Sequence, residues 1–169
     1  RQRDPAARLL FLCTERDADS PGLRTPGIEV AVLPSRNRGP LVLRLAAVLP
    51  AIWRAFRLLR QFRPDVIAGL GGYGSFAPIL AAKLLRVPVL LLEQNVVPGR
   101  TNRVLVHLAN EVAAQWGESV RHFHRRRRVQ VTGNPIRAAV RRVDRAEAAA
   151  ELGLDPALPT LLVMGGSLG

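Results

Sequence analysis

The stretch Arg63-Pro64-Asp65-Val66-Ile67-Ala68-Gly69-Leu70-Gly71-Gly72-Tyr73-Gly74-Ser75 decides the fold. An apolar run, Asp65–Leu70, leads into a cluster of glycines, and a helical pattern, Ser75–Arg86, follows at once. A strand that is apolar without alternation is covered on both faces, the condition of a parallel sheet flanked by helices. In such a sheet, loops beyond the carboxyl ends of the strands are where ligands bind. Glycines there let the backbone approach a ligand, and the following helix offers free N–H groups and a positive partial charge to an anion. The spacing is not that of a dinucleotide fingerprint, and no phosphate-loop Lys-Ser/Thr pair follows. By itself the loop serves either an anion or only the turn of the chain.

The same unit recurs outward from this stretch. Further apolar, β-rich runs are Arg8–Cys13, Ile28–Leu33, Val87–Leu92, Glu111–Gln115, Val129–Thr132 and Thr160–Met164. Helical spacing appears in Leu43–Phe62, where Pro50 predicts a break, and in Thr101–Ala109. Strand and helix in alternation predict a doubly wound α/β fold. Between Ala138 and Pro159 the pattern changes to a charged helix and a proline-bounded loop. Asp144 with Glu147 three residues on reads as a capping box opening Arg145–Leu152, and Gly153 as its stop. The expected organisation is a domain over 1–137, a linker over 138–159, and the start of a second domain over 160–169.

Composition limits the function classes. The chain has 169 residues, 48% of them hydrophobic, enough for a real core. The lone cysteine, Cys13, builds neither a disulfide framework nor a zinc site and reads as a small buried hydrophobe. The net charge is +12, and of the 25 basic residues only Lys83 is not arginine. That charge favours phosphates, acidic lipid headgroups or nucleic acid. Against nucleic acid, only 5% of residues are aromatic, and no stacking platform or nucleic-acid motif is evident.

Three more segments stand at strand ends. Glu93-Gln94-Asn95 follows an apolar run and offers three polar side chains to sugar hydroxyls, or else forms a solvated turn. Gly133-Asn134-Pro135-Ile136-Arg137 is either a domain-boundary turn or the carrier of an arginine fork for phosphate. Gly165-Gly166-Ser167-Leu168-Gly169 repeats the first glycine loop, with Ser167 as a phosphate donor. The basic loop Arg121–Arg128 reads as solvated, and its two histidines lack the companions of a metal site.

In the segment 52–62, Ile52, Phe56 and Leu59 share one helical face and Arg54, Arg57 and Arg60 the other. Trp53 lies on the arginine side. Two readings fit: a surface helix packed on the sheet with solvated arginines, or a membrane-surface helix with an aromatic among cations.

Taken in order, these segments resemble the MurG family of peptidoglycan N-acetylglucosaminyltransferases. Arg63–Tyr73 is similar to its second glycine loop, and Leu92-Glu93-Gln94-Asn95 with Pro98-Gly99-Arg100-Thr101-Asn102 to its His-Glu-Gln-Asn segment. Gly133–Arg137 and Gly165–Gly169 resemble its interdomain segment and third glycine loop. The resemblance implies a GT-B fold, here a Rossmann-like N-terminal domain without its first strand plus the first strand of a second such domain. It implies inverting transfer of N-acetylglucosamine from UDP-N-acetylglucosamine to lipid I, giving lipid II, with no metal or other cofactor.

By carry-over, Asn95, Arg137, Gly166 and Ser167 bind the donor, with Asn95 at the transferred sugar. Gly71, Gly72, Tyr73, Glu93 and Gln94 bind the acceptor, the first three facing its pyrophosphate. A polyprenyl-linked acceptor implies a peripheral enzyme on the cytoplasmic face of the inner membrane. Trp53, Arg54, Arg57 and Arg60 then meet an anionic membrane surface, and no nucleic acid is a partner. Two residues depart from the family pattern: Leu92 stands for histidine and Leu168 for glutamine. The loop that carries the family's proposed base, and most of the donor domain, are not in this sequence, so the 169 residues alone are expected to be inactive.

Overall fold

The computed structural model describes residues 6–15, 18, 23, 26–35, 41–123, 128–136 and 144–163. The chain divides into two compact units, 1–134 and 135–169.

In the first unit, β1 (Leu9–Thr14) pairs with β2 (Ile28–Leu33) in parallel, Leu9 opposite Ile28. α1 (Leu41–Phe62) follows. A second parallel ladder runs in sequence order through β3 (Ile67–Gly69), β4 (Val89–Glu93), β5 (Glu111–Ala114) and β6 (Arg128–Val131). Parallel neighbours need crossovers. α2 (Phe76–Leu84) crosses from β3 to β4, and α3 (Arg100–Leu105) crosses from β4 to β5. The fold is therefore the expected α/β type with parallel sheets.

The core lies between this ladder and the helices. Val89 and Leu91 of β4, Val112 of β5, Ile79 of α2 and Leu105 of α3 are all buried. Gly69 ends β3 because nothing larger fits. A Cβ there would come 2.5 Å from Ile79 Cδ1 and 2.9 Å from Leu91 Cδ2. α2 thus packs close over the strand that leads into the glycine loop.

α1 corrects one expectation. It runs through Pro50 unbroken. Proline removes one helical N–H, freeing the carbonyl four residues earlier. Pro50 and Ala46 are both exposed, so water can take up the loss. The buried stripe is Ala51, Ala55 and Leu59, with Ile52 and Phe56 half-buried beside it. The apolar face is therefore rotated slightly from the Ile52–Phe56–Leu59 stripe expected.

The second unit contains α4 (Arg145–Glu151). Asp144 caps it, its Oδ1 accepting from the N–H groups of Ala146 (2.8 Å) and Glu147 (3.1 Å). Gly153 (φ 66°) ends it, with Leu154 N–H donating to Ala149 O and Gly153 N–H to Ala150 O. That crossed pair is the Schellman stop. Thr160–Val163 differs from the expected strand. These residues carry no strand, and Leu161, Leu162 and Val163 are strongly exposed. A strand needs a ladder partner, and among the described residues of this unit there is none.

Candidate functional site

The site is built at the carboxyl ends of β3, β4 and β5. Beyond β3 the chain turns through Gly71 (φ 86°) and Gly72 (φ 77°), left-handed conformations that glycine adopts without steric cost. Ser75 holds the turn: its hydroxyl donates to Gly71 O at 2.6 Å and its N–H to Gly72 O at 3.2 Å. Tyr73–Ser75 forms a single 3-10 turn that feeds α2. The space beside Gly72 is open, with no atom within 4 Å of a would-be Cβ. Tyr73, next in the chain, is partly exposed.

β4 ends on Glu93, and the carboxylate turns inward, only 2% exposed. Its Oε1 accepts from the Asn95 N–H and Asn95 Nδ2, both at 2.9 Å. Its Oε2 accepts from the Gly99 N–H at 3.2 Å and Asn102 Nδ2 at 2.9 Å. Four donors on one buried carboxylate meet the cost of taking it out of water. Glu93 is therefore corrected from a ligand-facing group to the organiser of the loop 94–99. The sequence pattern offered it to sugar hydroxyls or to a solvated turn. Strand alternation instead gives it the inward register of Val89 and Leu91.

Asn102, 3% exposed on α3, completes this unit. Its Nδ2 also donates to Leu92 O at 3.1 Å. Its Oδ1 is buried without a partner among the described residues. The same side chain lies against the glycine loop, its Nδ2 3.3 Å from a would-be Cβ on Gly71. One residue thus ties the end of β4 to the loop after β3. Arg103 steadies the entry to α3 by donating to Pro98 O at 3.0 Å.

Between these walls is an open cleft of about 230 Å³. Leu70, Gly71 and Gly72 line one side and Gln94, Asn95, Arg100 and Thr101 the other, with Glu93 and Asn102 at the base. Another pocket, beside Thr14 and Tyr73, has about 20 Å³, room for little more than a water molecule. Trp116, just past β5, donates its indole N–H to Gln94 O at 3.1 Å and so reaches the loop of β4. No group of three or more His, Cys, Asp or Glu side chains among the described residues is arranged to hold a metal.

The structure thus brings together Gly71, Gly72, Gln94 and Asn95 around one cleft, while Tyr73 lines the smaller pocket. Arg137, Gly166 and Ser167 lie outside the described residues. Trp53, Arg54, Arg57 and Arg60 stand apart on the exposed face of α1, with the Arg57 guanidinium 4.8 Å from the centre of the Trp53 ring. The sequence pattern assigned no role to Asn102 or Trp116. The available signal for Asn102 was its place in the segment Pro98-Gly99-Arg100-Thr101-Asn102 at the start of a helix.

Residues 1–114 match the family model of the glycosyltransferase family 28 N-terminal domain. The chain is 34% identical over 171 residues to the UDP-N-acetylglucosamine--N-acetylmuramyl-(pentapeptide) pyrophosphoryl-undecaprenol N-acetylglucosamine transferase of Desulfitobacterium hafniense, covering 98% of this chain and 46% of that protein. It is 40% identical over 177 residues to the protein of the same name from Nitratidesulfovibrio vulgaris, covering 99% of this chain and 46% of the relative. The chain therefore spans about half the length of these curated relatives. Among solved structures it is similar to Acinetobacter baumannii MurG, with a TM-score of 0.62 and 31% identity over 76% of this chain and 38% of that one. A UDP-N-acetylglucosamine 2-epimerase shares the fold at 16% identity and a TM-score of 0.51, covering 76% of this chain and 49% of that chain.

Proposed function

The chain belongs to glycosyltransferase family 28 and has the α/β fold of a GT-B N-terminal domain, and from that premise we propose that the whole protein transfers N-acetylglucosamine from UDP-N-acetylglucosamine to lipid I, forming lipid II for peptidoglycan. The observation that carries this reading is the cleft over the strand ends, with bare backbone on one wall and sugar-facing polar groups on the other. The transfer inverts the anomeric centre in one displacement. A base takes the proton of the acceptor hydroxyl as that oxygen attacks, and UDP leaves.

In this reading the residues present hold the acceptor. Gly71 and Gly72 offer backbone N–H groups to the pyrophosphate at the turn that feeds α2, and Tyr73 borders them. Gln94 presents its side chain to the acceptor sugar and Asn95 to the transferred one. Glu93 acts on both indirectly, by fixing the loop that carries them. Arg137, Gly166 and Ser167 contribute the donor side, on the strength of the sequence resemblance alone.

The protein works from the cytoplasmic face of the inner membrane, as a peripheral enzyme. No helix among the described residues is long and apolar enough to cross a bilayer. α1 exposes Leu49 and Trp53 beside Arg54, Arg57 and Arg60. α2 packs along α1, and its final turns expose Leu84 with Lys83 and Arg86. Apolar side chains ringed by cations suit an anionic headgroup region.

The test is a transfer assay on the full-length protein with labelled UDP-N-acetylglucosamine and lipid I. The expected product is lipid I heavier by one N-acetylhexosamine, with UDP released. Epimerisation of the donor with no transfer to lipid I would overturn the reading.

A further inference from the structure

We propose that Trp116 is a sugar-stacking residue, the apolar wall against which the acceptor's pyranose ring lies. The inference rests on the reading of the cleft just given and assigns a residue that neither the sequence pattern nor the glycine loops point to.

Trp116 is 46% exposed, yet its indole is tied to a neighbouring loop and its backbone to a packed turn. Its indole N–H is held by Gln94 O at 3.1 Å. Its own carbonyl accepts from the Ser119 hydroxyl at 2.6 Å and the Ser119 N–H at 3.2 Å. Ser119 is fully buried, so this anchor is part of the packed interior. An indole kept only for packing sinks its ring into the core, whereas this ring stays half-exposed while its N–H is held by the loop after β4. A large aromatic face held still in water is preorganised for a ligand, because little side-chain freedom is left to lose on binding.

Its place in the sheet gives the ligand. Along the carboxyl edge, Gly71–Gly72 lies beyond β3, Gln94–Asn95 beyond β4 and Trp116 beyond β5. Two strand spacings are about 10 Å, the span of a pyrophosphate and the hexose attached to it. With the pyrophosphate on the glycine loop, the ring falls over β4, above the polar loop and against the exposed face of the indole. A pyranose matches that pairing, because its hydroxyls project around the rim while its C–H faces are apolar. Gln94 meets the rim and Trp116 meets a face. Pinning the indole on Gln94 O also fixes the ring relative to the loop that reads the hydroxyls.

The experiment is steady-state kinetics on the full-length enzyme with W116F, W116L and W116A, varying lipid I and UDP-N-acetylglucosamine in turn. W116F keeps an aromatic face without the N–H, and W116L keeps bulk without the face. The expected result is that W116L and W116A raise KM for lipid I by roughly tenfold, the factor of an ordinary aromatic contact, with KM for the donor unchanged and W116F rising clearly less, since it keeps the face but loses the anchor. Equal KM values for W116L and W116F, or a rise confined to the donor's KM, would overturn the stacking role while leaving the transferase reading intact. A wild-type protein that makes no lipid II overturns both.

Discussion

The cleft and the outer face of α1 both set charged groups beside apolar ones, and they resolve the juxtaposition in opposite ways. In the cleft, Glu93 is buried and its carboxylate is saturated by four N–H donors from its own loop and α3. On α1, Arg54, Arg57 and Arg60 are exposed, and Trp53 beside them is 61% exposed with the Arg57 guanidinium stacked on it. The first arrangement is complete within the protein and serves to shape a surface. The second presents charge and apolar area outward, the arrangement on which the proposed membrane contact rests. A charged residue near a functional surface is thus not thereby a ligand-binding one; burial and donor count separate framework from contact.

The comparison can be broken at either end, and the largest effect is expected in the cleft. Glu93→Ala strips acceptors from two backbone N–H groups and two side-chain amides, and should lower stability by about 3 kcal/mol or more. Urea unfolding of the full-length protein measures it. A loss below about 1 kcal/mol would mean that water replaces the carboxylate and that Glu93 is not the organiser.

On α1 the expectation is reversed. Changing Arg54, Arg57 and Arg60 together to Glu should leave stability within about 0.5 kcal/mol per site. Binding to anionic vesicles should fall by at least a hundredfold, from about 1 kcal/mol for each arginine near the surface. Vesicle co-sedimentation checks this, and unchanged binding would remove the membrane role from this face. The smallest effect is expected for Asn102→Ala, about 1–2 kcal/mol by the same unfolding assay. It deletes the two bonds made by Nδ2 but also an Oδ1 that has no partner among the described residues.

Much of this architecture was legible in the sequence. Non-alternating apolar runs located the strands of the first unit to within a few residues, and glycines after β3 marked the loop. Periodicity set Trp53 with the arginines of α1, and Asp144 and Gly153 marked the ends of α4. What was not legible depended on partners distant in sequence or on water. Pro50 reads as a break until its freed carbonyl is seen to face solvent. Thr160–Val163 reads as a strand because periodicity cannot show whether a ladder partner exists. Glu93 reads as exposed because its saturation depends on Asn102, nine residues away on another element. Trp116 gives no signal, since its meaning lies in a hydrogen bond to Gln94, 22 residues earlier.

The central claim is that the cleft over β3, β4 and β5 holds a pyrophosphate-linked hexose acceptor. A crystal structure of the full-length protein with a short-chain lipid I analogue tests it most directly. The account predicts the pyrophosphate on the N–H groups of Gly71 and Gly72, with the muramyl ring beside Gln94 and against the face of Trp116. An ordered acceptor whose pyrophosphate lies away from the Gly71–Gly72 loop would contradict it.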